Sequence, residues 1–436
     1  MKINNIGIIG LGYVGLTFSI ALAKKGFKVF GYEKNNKIFE NLNKGKAQFY
    51  EENIDRYLKK TLKSKKFKIF KNLDNINQCN YVFITIGTPI TKNKKASQNN
   101  IISLAKQLKS KLNKGTILGL RSTVKLGTTR KLQKILNSND VKLAMCPERT
   151  AEGSALKEIN TLPQIIGSDN SVVNKKLKLI FSKLTKSVII FNSFEEAEVL
   201  KLIDNSYRDT IFGFANELAE IGENYNINIL NVINKISINY PRTKINLPGT
   251  VGGPCLTKDS RILYESVKKK MDLNIVKSSR KINEQLPLKI LDMIKKRQKK
   301  NKIQKILFCG LAFKGFPQTS DIRGSMSKDI IEYCEKIFKG VKIYGIDNLV
   351  STDDAKKISS KLIFNKNLSQ KLNNFDIILI LNNSPVWKNI GIEKFLNILN
   401  KNGIIFDYWS SFKSTKTQDK YFKLGEGNLT KKFNYV

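Results

Sequence analysis

Apolar and polar positions change period several times along this chain. Ile6 to Ile9 is a short apolar run, long enough for a buried strand and too short for a helix. Glycines follow at Gly10, Gly12 and Gly15, and Leu16 to Lys25 then places apolar residues along one helical face until Gly26. Lys28 to Glu33 is a second strand, closing on an acid. Strand-like runs recur at Tyr81 to Ile86, Thr116 to Leu120 and Val141 to Met145. They end at Gly87-Thr88-Pro89, Arg121-Ser122-Thr123 and Cys146-Pro147-Glu148-Arg149 respectively. Glu195 to Tyr225 lacks proline and keeps helical spacing, which predicts a long helix with Lys201, Asn205 and Arg208 on one face, beside Leu202 and Ile203. Ile262 to Arg297 reads as mostly helical, and Lys299 to Gln304 as a polar boundary. From Lys305 a second alternation begins, with a strand and glycine turn up to Lys314 and further strands at Val341 to Asp347, Phe375 to Leu381 and Gly403 to Asp407. The lysine-rich stretch after Phe412 offers little core and is expected to be loosely ordered.

Strands alternating with helices predict an α/β fold, here two Rossmann-like doubly wound domains joined by a long central helix, divided at 1–192, 193–300 and 301–436. The first unit reads strand, G-x-G-x-x-G, helix, strand, acid, with Glu33 18 residues beyond Gly15. That is a dinucleotide fingerprint in its required context. Gly10 allows the tight turn, Gly12 lets backbone approach a pyrophosphate, and Gly15 lets helix and strand pack closely. The helix N-terminus supplies amide donors for phosphate, so Tyr13 and Val14 join the cofactor set. Glu33 is suited to a ribose 2′-hydroxyl, which favours NAD over NADP, although Lys34 beside it weakens that preference. The second unit lacks the glycine pattern and is expected to bind something else. The uncharged stretch Ile8 to Ala23 superficially resembles a signal peptide, but a cofactor loop explains it better, and no membrane insertion is expected.

Composition narrows the chemistry. The 436 residues carry a formal net charge of +41 and no histidine, so a His base and a His-ligated metal are excluded. The sharp reading of that charge is nucleic acid or an anionic surface. Against it, lysines are spread along the chain, few aromatics interleave with them, and abundant Lys, Asn and Ile fit a biased genome. An acidic small substrate suits the charge too. The 5 cysteines, at 79, 146, 255, 309 and 334, have neither CxxC spacing nor an even count, which points to a reducing, cytoplasmic setting, with no metal site. Cys255 stands out in Pro248-Gly249-Thr250-Val251-Gly252-Gly253-Pro254-Cys255-Leu256-Thr257-Lys258-Asp259. Paired glycines would let backbone approach a substrate, and a nearby cation favours the nucleophilic thiolate. The alternative is a small buried cysteine in a turn.

These motifs together resemble the UDP-glucose/GDP-mannose dehydrogenase family along almost the full chain. The matches run in order: Gly10 to Gly15, Gly87-Thr88-Pro89, Ser122-Thr123-Val124, Pro147-Glu148 with Ala151-Glu152-Gly153, Lys201 with Asn205, Gly252-Gly253 with Cys255 and Lys258-Asp259, and Phe313-Lys314 with Asp321 and Arg323. Cys146-Pro147-Glu148-Arg149 and Asn205-Ser206-Tyr207-Arg208-Asp209, followed by Phe214-Ala215-Asn216-Glu217, look most like the UDP-N-acetyl-D-mannosamine and UDP-N-acetyl-D-glucosamine members. The resemblance implies a four-electron oxidation of a sugar C6 hydroxymethyl to a carboxylate, with two NAD⁺ used in turn, for surface polysaccharide. It implies Cys255 as nucleophile, Lys201 and Asn205 as oxyanion stabilisers, Asp259 with Thr123 as proton handler or water positioner, and Glu148 as base for thioester hydrolysis. Thr88, Thr123 and Arg323 would meet the cofactor. Arg149, Glu152, Arg208, Gly252, Lys258, Phe313 and Lys314 would join Glu148 and Lys201 around the UDP-sugar, with Arg242 reaching a neighbouring subunit's sugar nucleotide. The central helix would pair in a homodimer or higher homo-oligomer, and the C-terminal domain would bind the UDP-sugar.

The chain departs from family patterns in two places. Pro254 stands where many N-acetylhexosamine members carry His, and Phe406-Asp407-Tyr408-Trp409 lies where UDP-glucose members have a substrate-binding Arg. UDP-glucose 6-dehydrogenation therefore stays open as an alternative. A basic nucleic-acid-binding protein on the same fold is the alternative from another class.

Overall fold

The computed structural model describes residues 5–88, 97–136, 140–368, 372–412 and 419–429. It divides into two compact units: Met1–Asn205 with Arg261–Asp272, and Ser206–Ser260 with Leu273–Val436. The long helix, Phe194–Tyr225, begins in the first unit and continues in the second.

The first unit is built on eight strands: β1 (Asn5–Ile9), β2 (Val29–Tyr32), β3 (Phe67–Phe70), β4 (Cys79–Ile84), β5 (Ile117–Leu120), β6 (Lys142–Met145), β7 (Gln164–Gly167) and β8 (Val188–Phe191). Their order is β3-β2-β1-β4-β5-β6-β7-β8, parallel throughout except β6 against β7. Alternate residues feed two apolar layers. Ile6, Ile8, Tyr81 and Phe83 enter one, while Ile9, Val82 and Ile84 enter the other. Burial on both faces is why these strands read as continuous apolar runs. The turn after β1 needs its glycines. Gly10 has φ +91°, and a Cβ on Gly15 would lie 1.9 Å from the Gly10 carbonyl oxygen.

The second unit holds β9 (Lys305–Cys309), β10 (Lys342–Ile346), β11 (Ile363–Asn365), β12 (Phe375–Ile380), β13 (Leu399–Asp407) and β14 (Tyr421–Lys423). All pair in parallel in the order β11-β10-β9-β12-β13-β14, the same winding as the first six strands of the other sheet. Asp347, directly after β10, takes the position that Glu33 takes after β2. Its Oδ2 accepts from the amides of Leu311 (2.9 Å) and Ala312 (3.0 Å), and its Oδ1 from Leu349 (3.0 Å) and Val350 (3.1 Å). The expected α/β class, with two Rossmann-like sheets and a long helix, is the class observed.

The segment read as mostly helical from Ile262 to Arg297 is so, as the end of one helix, Leu256–Val267, and the whole of another, Asn274–Arg297, which contains Pro287. One local expectation fails: the stretch after Phe412 is not loose where it is described. Tyr421, Phe422, Leu424 and Leu429 are buried, β14 pairs with Ile405 to Asp407, and the Tyr421 hydroxyl donates to Asp407 (2.8 Å). Residues 413–418 and 430–436 of that stretch lie outside the described residues.

Glu223 of the long helix ties this segment down, accepting from the Gly425 (2.9 Å) and Gly427 (3.4 Å) amides. Burial pushes its carboxyl up to about 7, against the partial relief those amides give. A carboxyl raised in the folded state binds a proton more tightly there than in the unfolded chain. The folded state is therefore favoured below the ordinary carboxylate range, and that advantage is lost as pH rises from about 4.5 towards 7. Denaturant titrations should show stability falling over this window by up to about 3 kcal/mol from this group. Glu223→Gln should flatten the dependence and be the more stable form at pH 8; equal slopes for the two proteins would refute the assignment.

Candidate active site

In the first unit the site is assembled from loops at the carboxyl ends of strands. Gly10 to Gly15 follow β1, Glu33 follows β2, Thr88 follows β4, Thr123 follows β5 and Glu148 follows β6. Such ends carry ligand loops in doubly wound sheets. Gly12 caps the helix Tyr13–Lys24 without a side chain, and a Cβ there would meet nothing within 4 Å. The first turn of that helix contains no acidic residue, so the helix itself brings no negative charge to the amides at its N-terminus. Val14, in the same turn, is half-buried. Glu33 is buried, with Oε2 accepting from Leu11 N–H (3.0 Å) and Oε1 from Asn35 N–H (2.9 Å). The acid thus ties the glycine turn to β2 besides being available to a ribose. Thr88 Oγ1 donates to the Thr123 carbonyl (2.6 Å), joining two loops assigned to cofactor and catalysis. Pro89 of the same motif lies outside the described residues. The turn, the acid and the open approach at Gly12 fit a bound dinucleotide.

Glu148 is nearly inaccessible. Its Oε1 accepts from the amides of Arg149 (2.8 Å) and Thr150 (2.9 Å), and its other oxygen pairs with Arg121. Burial works to raise its carboxyl; the Arg121 charge and those amides outweigh it and hold the group below the usual carboxylate range. Arg121 is fully buried, donates to Gln164 Oε1 (3.1 Å), and lies 4.2 Å from the Phe18 ring centre and 5.5 Å from that of Phe181. Arg149 reaches Asp204 (2.7 Å). Glu152 is half-buried in the loop that follows.

On the long helix, Lys201 and Asn205 are buried, and Leu202 is buried beside them. Arg208 does not share their environment: it is exposed, and Asp209, one turn after Asn205, continues the buried row. Ile203 is exposed as well. Arg208 lies within about 20° of Lys201 around the helix, at the rim of the buried face that Leu202, Asn205, Ser206 and Asp209 continue.

In the second unit Cys255 immediately precedes the helix Leu256–Val267, and its carbonyl accepts the first turn's amides, from Lys258 (3.1 Å) and Asp259 (2.8 Å). The thiol therefore stands at a helix N-terminus, where the dipole favours negative charge. Lys258 Nζ lies 3.2 Å from the buried Asp259. Cys255 is exposed, whereas Cys79, Cys146, Cys309 and Cys334 are buried. Burial pushes the Cys79 thiol up to about 11 and Cys146 to about 12, and raises Cys309 and Cys334 also. The reading of Cys255 as a buried turn cysteine is thereby overturned.

The glycines before Cys255 are closely approached by protein atoms. Gly253 has φ +98°, and its Cβ would stand 2.4 Å from the Phe313 ring; a Cβ on Gly252 would stand 2.5 Å from the Gly324 carbonyl. They admit protein atoms, and Gly253 N–H donates to Gly324 O (2.7 Å). Asn216 brackets Gly249 through both backbone groups (3.0 and 2.9 Å), and Arg280 donates to Val251 O (2.9 Å) and to Asp209 (2.8 Å). Asn283 adds a bond to each of Asp209 and Asn216 (2.8 Å). Lys314 stands by Phe313, its Nζ 5.4 Å from the ring centre. Arg323 is exposed and forked onto Asp321 (2.9 and 2.5 Å). Arg242 is exposed over Tyr240, 4.8 Å from the ring centre.

The first unit thus gathers Gly10, Gly12, Gly15, Glu33, Thr88, Thr123 and Glu148 at one sheet edge. The second gathers Gly252, Cys255, Lys258, Asp259 and Phe313 around one turn. Sequence reasoning passed over Arg121, Glu51, Arg280 and Asn283, each lacking a motif. The one available signal was Arg121, a charge at the end of a buried strand. Among the described residues no cluster of His, Cys, Asp and Glu could hold a metal ion.

The UDP-glucose/GDP-mannose dehydrogenase family matches the chain in three parts: its NAD binding domain at residues 4–185, its central domain at 195–285 and its UDP binding domain at 307–414. The UDP-N-acetyl-D-mannosamine dehydrogenase of Pyrococcus horikoshii is 27% identical, covering 89% of this chain and 91% of the relative. The enzyme of that name from Campylobacter jejuni is 29% identical over 87% of this chain and 95% of its own. A solved structure of UDP-D-ManNAc dehydrogenase from Pyrococcus horikoshii superposes with a TM-score of 0.85 at 26% identity, covering 97% and 100% of the two chains. The chain belongs to the UDP-glucose/GDP-mannose dehydrogenase family and is an NAD-dependent nucleotide-sugar oxidoreductase.

Proposed function

We propose that this enzyme oxidises the C6 hydroxymethyl of a UDP-N-acetylhexosamine, with UDP-N-acetylmannosamine as the first choice, to the uronic acid through a thioester on Cys255. The observation that carries the reading is Cys255 itself, the exposed one of five cysteines, set at a helix N-terminus beside Lys258 and Asp259. The names of the relatives support the sugar. NAD, when bound, accepts a hydride at each of the two oxidations. The thiolate adds to the C6 aldehyde, so Sγ holds the carbon first as a thiohemiacetal and, after the second oxidation, as a thioester. Water then cleaves the C–S bond, giving carboxylate and returning the thiol. Lys201 and Asn205 are assigned to the oxyanions, Asp259 with Thr123 to proton handling and water. Glu148 is assigned to thioester hydrolysis; as an anion fixed by Arg121 it keeps the ionised form that a base needs. Gly10 to Gly15, Glu33, Thr88 and Arg323 are assigned to NAD. Glu152, Arg149, Gly252, Lys258, Phe313 and Lys314 are assigned to the sugar nucleotide, and the product to surface polysaccharide made in the cytoplasm.

The same reading makes the protein a homodimer through its long helix. Tyr207, Phe214, Ile221 and Tyr225 are 64%, 51%, 41% and 58% exposed at spacings of 7, 7 and 4, an apolar stripe along one helix face. Arg242 would then serve a neighbour's site.

Three measurements test this reading. Purified enzyme given NAD⁺ and single UDP-sugars should form two NADH per UDP-N-acetylmannosamine consumed, and Cys255→Ser should form no uronic acid. Turnover confined to UDP-glucose, or a ratio near one, would overturn the substrate or the thioester respectively. Removing the Arg121 charge should raise the Glu148 carboxyl, so the acid limb of kcat in Arg121→Met should move up by at least about one pH unit; an unmoved limb argues against Glu148 as the hydrolytic base. Phe214→Glu should shift sedimentation from dimer to monomer, and a dimer unaffected by it would place the interface elsewhere.

A further inference from the structure

The segment Gln48 to Glu51 touches two loops that the proposed function assigns to different ligands. Gln48 Nε2 donates to the Leu11 carbonyl inside the glycine turn (2.8 Å). The Phe49 ring packs on Tyr13 with centroids 4.4 Å apart. Glu51, 4% exposed, is the hub. The Tyr13 hydroxyl donates to its Oε2, the Gly153 amide reaches the same oxygen (2.9 Å), and the Leu156 amide reaches Oε1 (3.0 Å). The Gly153 amide also reaches the Tyr13 hydroxyl oxygen (2.5 Å), closing a triangle. Burial and the neighbouring Glu51 carboxylate keep the Tyr13 phenol protonated, so it remains a donor.

The loop on the far side is held from its other end too. Glu158 accepts from the Ala151 amide (2.7 Å) and from Ser154 Oγ (2.7 Å). Gly153 sits at φ +88°, where a side chain would be strained. Glu152 is therefore presented from a turn fixed on both flanks, and its neighbour Gly153 is bonded directly to the first residue of the cofactor helix. A charged acceptor shared by three donors in a buried setting is stiff, so a displacement at Tyr13 is carried to Gly153.

We propose that Glu51 is a positioning residue that couples the dinucleotide loop to the Ala151-Glu152-Gly153 loop, so that cofactor and sugar nucleotide bind with positive cooperativity. This rests on the assignment of Glu152 to the sugar nucleotide made above. Coupling of this kind is reciprocal: each ligand tightens the other by the same factor, commonly about 5-fold or more.

The test uses the full-length enzyme with NADH, which cannot oxidise the sugar, and UDP-N-acetylmannosamine. Calorimetry gives the sugar nucleotide's Kd with and without saturating NADH, and the ratio of the two is the coupling factor. Wild type should show a ratio of about 5 or more. Tyr13→Phe removes the hydroxyl that joins the helix to Glu51 while leaving Glu51 on Gly153 and Leu156, and it should bring the ratio close to one. Glu51→Gln should do the same, and Glu51→Asp should restore part of it. A merely structural role for Glu51 would weaken both affinities and leave the ratio alone, and that result would overturn the proposal. So would a ratio of one in wild type. Should Glu51 variants fail to fold, the Tyr13→Phe ratio decides by itself. If NADH binds but no UDP-sugar does, the failure lies with the proposed function instead.

Discussion

Buried carboxylates that accept backbone amides fix the functional loops of this protein. The chain has 36 acidic residues against 77 basic ones, so surface pairing could absorb every acid. Instead Glu33 holds the glycine turn, Glu148 the loop after β6, Glu51 and Glu158 the loop around Glu152, and Asp347 the turn of the second sheet. Glu198 grips the Gly127 (2.5 Å) and Thr129 (2.7 Å) amides in the same way. Such bonds join a full charge to a fixed dipole and are roughly twice as strong as neutral ones. They replace the ladder partners that a loop at a strand end lacks, and they set where its side chains point.

The two units spend this device differently. In the first, carboxylates sit at strand ends, where they hold loops around an open approach at Gly12. In the second, Asp347 sits at a strand end likewise, and amide and guanidinium groups work beside it: Asn216 and Arg280 fix the backbone at Gly249 and Val251, upstream of Cys255. Asp209 completes that network. Burial raises its carboxyl more than Arg280, Asn283 and Ser260 lower it. Cys255 itself is exposed, at the end of the helix that follows this stretch.

The parts of the architecture that follow from period were legible in the sequence. Long apolar strands, the glycine turn and the long helix announce themselves because burial on two faces or along one stripe leaves a repeating trace. The apolar runs in β7 (Gln164–Gly167) and β8 (Val188–Phe191) are as short as those of β2, β5 and β6 but were passed over. The buried tail looked polar because Lys420 and Lys423 flank Tyr421 and Phe422, the residues of β14 that pair with β13. Arg208 shares the helical phase of Lys201 but falls at the rim of the buried face, so spacing alone did not show its exposure. The glycines before Cys255 were rightly marked as sites of close approach, but the approaching atoms belong to Phe313 and Gly324. Arg121 stayed hidden because a charge paired with Glu148 and packed against two rings looks, in one dimension, like any loop arginine.

The twin winding of the two sheets has a consequence for nucleotide selection. Among the described residues, the Asp347 carboxylate meets four backbone amides, two on each oxygen, which fills its lone pairs. Glu33, at the same place in the other sheet, meets one amide on each oxygen and keeps an acceptor position on both. A sugar diol presented to the second crevice finds an acid already saturated, while one presented to the first finds it half vacant. The duplicated architecture thus carries a carboxylate in both halves, with four amides on one and two on the other.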